Sequence, residues 1–217
     1  MLGLSLNQSQ LLARVSLVSG PVSDTMSKKL KLSPSISYLL GMYGKCAQER
    51  SASIAMTSSN ASAIEKAVKI SMDELGISPN KLLITEFDDI TRVMFYNSKL
   101  RKLFDDALGR KMKIFKHPND YAAEYIAGMF DAIGAIAHTG MYLSNIDPGD
   151  YMIMDTLGIH ILQKGNRYYI INESMFTLLI SKYSMKLLSI AHGLTGLNRT
   201  IHITSWRPPC STSRLVR

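Results

Sequence analysis

A six-residue stretch occurs twice in this chain, and the two copies constrain the fold more than any other feature. Met72-Asp73-Glu74-Leu75-Gly76-Ile77 returns as Met154-Asp155-Thr156-Leu157-Gly158-Ile159, with one difference. Upstream of each copy lies an apolar segment with a glycine inside it, Tyr38-Leu39-Leu40-Gly41-Met42-Tyr43 and Tyr125-Ile126-Ala127-Gly128-Met129-Phe130. Matched signals in matched order predict two similar halves of about 80 to 90 residues each.

Hydrophobic periodicity, capping residues and turn residues fill in the halves. The first is predicted to run helix 35–45, strand 51–58, helix 61–75 capped by Asn60 and ended by Gly76, strands 82–87 and 91–96 turning at Asp88-Asp89, then helix 98–108 ending at Gly109. The second is predicted to run helix 120–136 with Asn119 or Asp120 as cap, strand 139–144, a clipped helix from Pro148 to 157, a hairpin of 159–163 and 167–172 turning at Lys164-Gly165-Asn166, and one long helix 174–192. The class is α+β, each half roughly α-β-β-α-β-β-α if a further strand follows the first. The expected organisation is an N-terminal extension 1–31, repeats at 32–116 and 117–197, and a tail 198–217.

A formal net charge of +8 points to a polyanionic partner. Beyond charge, little supports a membrane surface, and no run approaches the ~18 apolar residues of a spanning helix. Two cysteines, Cys46 and Cys210, form neither a zinc-ligand pattern nor a disulfide framework, so a reducing intracellular compartment is expected. His117, His138, His160, His192 and His202 are scattered rather than grouped as ligands. Residues 1–23 carry one arginine, several serines and no acid, which fits a transit peptide loosely; a flexible or partly helical lead-in is the favoured reading. The arginine-bearing tail reads as a basic arm or as an irregular end.

The segment Ile126-Ala127-Gly128-Met129-Phe130-Asp131-Ala132-Ile133-Gly134 resembles the LAGLIDADG motif of homing endonucleases, and Leu39-Leu40-Gly41-Met42-Tyr43-Gly44-Lys45-Cys46-Ala47 is a more worn copy. With the Leu-Gly-Ile partner repeated downstream, roughly residues 32–197 resemble a monomeric two-motif member of that family. The resemblance implies that the two motif helices pack nearly backbone to backbone, with Gly41, Gly44, Ala127, Gly128 and Ala132 as the small contact residues. Glycine inside an ordinary helix costs about 1 kcal/mol relative to alanine, so two at matched positions call for such a reason. The eighth motif position is an acid in the family, and the pair holds divalent metal for phosphodiester hydrolysis. Here those positions hold Cys46 and Ile133, neither a hard oxygen ligand. Asp131 lies two residues earlier and faces another side of the helix. Glu49 is the remaining nearby acid.

The resemblance further implies antiparallel sheets forming a saddle on nucleic acid. The expected contacts are Ser53, Lys81, Arg92, Tyr142, Lys164 and Arg167. Which alternation faces the ligand stays open, because a one-residue slip inverts it. Lys99, Arg101, Lys102, Arg110, Lys111, Lys113 and Lys116 form a further basic cluster, readable as a second phosphate-tracking surface or as a solvated face. The favoured reading is a nucleic-acid binder, of DNA or RNA, that needs no cofactor and has lost cleavage. The alternatives are a fixed component of a ribonucleoprotein, and a nuclease or nickase using magnesium and displaced acids such as Glu49 or Asp131.

Overall fold

The computed structural model describes residues 31–46 and 52–195. The readings placed on residues 1–30, on Ala47, Glu49 and Ser51, and on the tail from residue 198 lie outside the described residues. In chain order the elements are α1 (Pro34–Tyr43), β1 (Ser53–Ser58), α2 (Ala61–Asp73), a 3-10 turn (Pro79–Lys81), β2 (Leu83–Phe87), β3 (Ile90–Tyr96), α3 (Ser98–Gly109) and α4 (Lys111–Ile114). There follow α5 (Asp120–Ile133), β4 (Gly134–Ala137), β5 (Gly140–Ser144), α6 (Pro148–Thr156), β6 (Ile161–Lys164), β7 (Arg167–Ile170), α7 (Glu173–Ile180) and α8 (Met185–Thr195). Two antiparallel sheets result, ordered β1-β3-β2 and β4-β5-β7-β6.

The duplicated hexapeptide has a packing cause. Met72, Leu75 and Ile77 are buried, as are Met154, Leu157 and Ile159. Gly76 and Gly158 between them both take positive φ, 65° and 76°. That conformation ends a helix and turns the next amide back onto it, so Ile77 N–H donates to the Ser71 carbonyl and Ile159 N–H to that of Met154. Asn60 and Asn119 cap α2 and α5 through their side chains, as their positions predict.

The two glycine-bearing helices, α1 and α5, form the centre of the molecule. Tyr38, Leu39, Leu40, Met42, Tyr125, Ile126, Ala127, Met129 and Phe130 are all essentially inaccessible. A Cβ at Gly41 would stand 2.8 Å from the Met129 backbone nitrogen, and one at Gly128 would stand 2.9 Å from the Tyr38 carbonyl carbon. The backbones therefore meet at two reciprocal points, which only glycine permits. Gly44 plays a different part: the open side of its Cα meets the Leu108 side chain of α3. Ala132 is half-buried against the core.

Several elements differ from the sequence expectation, among them the short helix Lys111–Ile114, which it lacks. The helix expected over 120–136 stops at Ile133, and Gly134 begins strand β4, pairing with Leu143. The helix expected over 174–192 is two helices, parted between Ile180 and Met185. The first strand begins at Ser53.

Candidate nucleic-acid interface

Cross-strand register settles which side chains share the outer face of each sheet. In the first sheet Val93 pairs with Met56 and Ile84, and Phe95 with Ile54, all turned into the core. Arg92 and Tyr96 lie on the opposite alternation, next to Thr57 and Thr85. Ser53 shares that alternation but is fully buried, and its carbonyl accepts a 3.2 Å hydrogen bond from Arg101 of α3. The expectation that Ser53 contacts a ligand is corrected accordingly. Lys81 is exposed in the turn before β2.

The second sheet gathers three of the expected residues in one place. Tyr142 pairs across strands with Tyr169, and Lys164 with Arg167. The two tyrosine rings lie 5.5 Å apart at 43°. The Arg167 guanidinium stands 4.6 Å from the Tyr142 ring centroid, and Lys164 Nζ 5.7 Å from that of Tyr169. Leu143 and Ile170, on the other alternation, are buried. Hydrogen bonding to Arg167 lowers the Tyr169 phenol below its usual pKa. Tyr169 was absent from the expected contacts, although the alternation through Arg167 places it beside Tyr142. The arrangement offers planar surface with fixed positive charge around it.

The basic cluster on α3 and α4 is not all free surface. Lys111 donates to Asp147 at 2.6 Å and to Asp150 at 2.8 Å, and Arg101 is engaged with Asp105 and Ser53. Lys99, Lys102, Arg110, Lys113 and Lys116 are exposed.

At the end of α1, Cys46 has Lys45 and the carboxylates of Asp147 and Asp150 beside it; at the end of α5, Ile133 has Lys186. Lys45, next to Cys46, is almost fully buried and paired with Asp150 and Asp147 of the other half. The Asp147 carboxylate, which burial alone would raise, is held well below the usual range by hydrogen bonding to Asp150 and Lys111 and by the charge of Lys45. Next to Ile133, Lys186 Nζ donates to the carbonyls of Gly134 at 2.6 Å and Phe130 at 3.3 Å. A cation is the favoured partner of helix C-terminal carbonyls. Among the described residues no three His, Cys, Asp or Glu side chains are grouped to hold a metal ion. Cys46 and Ile133 offer no hard oxygen ligand, and the neighbouring Asp147 and Asp150 carboxylates are engaged by Lys45 and Lys111, so the set does not fit magnesium. Asp131 is wholly buried and accepts from Tyr38 Oη at 2.7 Å, Ser184 Oγ at 2.6 Å, Met185 N at 2.7 Å and Lys186 N at 3.1 Å, capping α8.

Burial pushes the Lys186 ammonium down to about 8, partly offset by Asp131. An unfolded lysine titrates near 10.4. Between those values the unfolded chain holds more protons, so stability rises with pH from about 8 to about 10.4 and is level below 8, where both states are protonated. Urea unfolding is expected to show a gain of about 1–2 kcal/mol from pH 7.5 to 9.5. Lys186→Met should abolish the slope; an unchanged slope in that variant would assign it elsewhere.

No family model matches the chain, and no curated protein matches it in sequence. Solved structures do. A mesophilic variant of the homing endonuclease I-DmoI superposes with a TM-score of 0.53 at 18% identity, covering 69% of this chain and 96% of the other. I-DmoI in complex with DNA and Mn gives 0.52 at 17%, covering 68% and 96%. The N-terminal LAGLIDADG domain of DUF199/WhiA gives 0.53 at 13%, covering 88% and 99%. Together with the reciprocal glycine contact, these matches show that the chain has the LAGLIDADG-type fold, with two repeats and two antiparallel sheets.

Proposed function

We propose that this protein binds nucleic acid and does not cleave it. The observation that carries the reading is the Tyr142, Tyr169, Lys164 and Arg167 cluster on the outer face of the second sheet. Cations meet phosphates and planar rings meet bases. A net charge of +8 favours the same class of partner, and I-DmoI, with the same fold, has been solved in complex with DNA and Mn. No helix among the described residues is long and apolar enough to cross a membrane.

Loss of cleavage rests on the motif-helix ends. Two-metal phosphodiester hydrolysis needs acidic ligands at the scissile phosphates. Cys46, Ile133, Lys45 and Lys186 supply none, and the nearby Asp147 and Asp150 are already paired with Lys45 and Lys111. Such a chain works without a metal cofactor, as a monomer with an internal pseudo-two-fold.

The test is to purify the protein from its native host at moderate salt without nuclease, and to sequence the nucleic acid retained. One enriched site or transcript is expected. Added magnesium or manganese should yield no defined cuts in that nucleic acid. Metal-dependent cutting would overturn the loss of cleavage, and retention of no specific sequence would overturn the binding assignment. Co-purification of one structured RNA with stoichiometric proteins would instead identify a fixed ribonucleoprotein component.

A further inference from the structure

The two hairpins that would flank a ligand carry opposite charge. Residues 83–96 hold Glu86, Asp88 and Asp89 against one Arg92, a net of −2; residues 161–170 hold Lys164 and Arg167 and no acid, a net of +2. Glu86, Asp88 and Asp89 are exposed at the β2–β3 tip, where Phe87 pairs with Ile90. Phe87 is 63% exposed and Ile90 49%. A duplex lying along both sheets would bring its phosphates past three carboxylates. Like charge at close range disfavours that contact by the same Coulomb term that favours the second hairpin.

Tyr142 and Tyr169 stand side by side on the outer face of the second sheet, with Arg167 against one ring and Lys164 near the other. The neighbouring strand contributes small residues to that face: Ala135 opposite Tyr142, and Ala137 opposite Gly140. Bases inside a duplex are already stacked and paired, and present only their edges in the grooves. Unpaired bases offer their faces, and aromatic side chains on a sheet surface take them without regard to sequence.

We infer that the outer face of the second sheet is a stacking platform for unpaired nucleotides, with bases against Tyr142 and Tyr169 and the intervening phosphates on Lys164 and Arg167. This inference rests on the nucleic-acid reading above and narrows its ligand to single-stranded segments, loops or bulges. The first sheet, with its acidic tip, lies outside the contact.

Fluorescence anisotropy on the full chain tests it, using a labelled mixed-sequence strand of about ten nucleotides. The strand is offered as RNA, as DNA, and as the blunt DNA duplex. At least one single strand should bind about ten-fold more tightly than the duplex. Tyr142→Ala and Tyr169→Ala should each weaken single-strand binding about ten-fold, while Tyr142→Phe and Tyr169→Phe bind as the parent does. Lys164→Ala should reduce the salt dependence. Tighter binding of the ribose strand assigns RNA, equal binding assigns a platform blind to the sugar, and both support the inference. Equal affinity for duplex and single strand overturns it. So do alanine variants indistinguishable from their phenylalanine counterparts, whether all bind fully or all fail. In either case a loss caused by Lys164→Ala and Arg167→Ala would leave nucleic-acid binding standing. Binding of none of the three probes overturns both readings.

Discussion

Replacing Gly128 by alanine is expected to leave a protein that no longer folds at ordinary temperature. The added methyl would lie 2.9 Å from the Tyr38 carbonyl carbon, and closer still to its oxygen. These are backbone atoms of a buried helix, so no side-chain rotation relieves the clash. The helices must separate, and separation unpacks Tyr38, Leu39, Met42, Tyr125 and Met129 together, because dense interiors do not yield locally. A cost of about 4–5 kcal/mol or more follows, against a total of about 5–15 kcal/mol for a typical domain. Gly41→Ala meets Met129 N in the same manner and should behave alike. Gly109→Ala is the control: its Cβ would find nothing within 4 Å. That change should be neutral, or stabilising by up to about 1 kcal/mol. Soluble yield and urea unfolding decide the matter, and a Gly128→Ala midpoint equal to the parent's would refute the close contact.

The second large effect is expected at Asp131. Asp131→Ala removes the acceptor for Tyr38 Oη and Ser184 Oγ and for two amides at the start of α8. Stranded buried donors and an uncapped helix together cost about 3–5 kcal/mol. Tyr38→Phe, which removes one donor and leaves three, should cost only about 1 kcal/mol. Hydrogen exchange should show α8 opening first in the alanine variant. A displaced catalytic acid would give the opposite pattern, with activity lost and stability kept. An Asp131→Ala protein as stable as the parent would therefore return Asp131 to the list of candidate metal ligands.

Most of the elements of the fold were legible because their causes are local. Asn60 and Asn119 cap helices with their own side chains, and Gly76 and Gly158 take a φ that other residues avoid. Asp88 and Gly165 turn the two hairpins at positive φ. The site was legible in part for the same reason: strand alternation puts Tyr142, Lys164 and Arg167 on one face once the register is known. Ser53 misled because alternation says which way a side chain points and nothing of what lies on top of it. Lys111 read as a free cation because Asp147 and Asp150 are more than thirty residues away.

By itself the sequence determined that there are two halves, that glycine sits inside each central helix, and that the eighth motif positions hold no acid. Each is a property of residue identity at a given spacing. Only the tertiary structure decided what those residues meet. It set Gly41 and Gly128 against the opposite backbone and turned Gly44 to Leu108. It ended α5 at Ile133 so that Gly134 could pair with Leu143, and it parted α7 from α8 where Asp131 supplies a cap. It also brought Lys45 to Asp150 and Lys186 to the carbonyls of α5. Those partners lie some fifty to a hundred residues apart, and nothing in local periodicity encodes a contact made only when distant elements pack together.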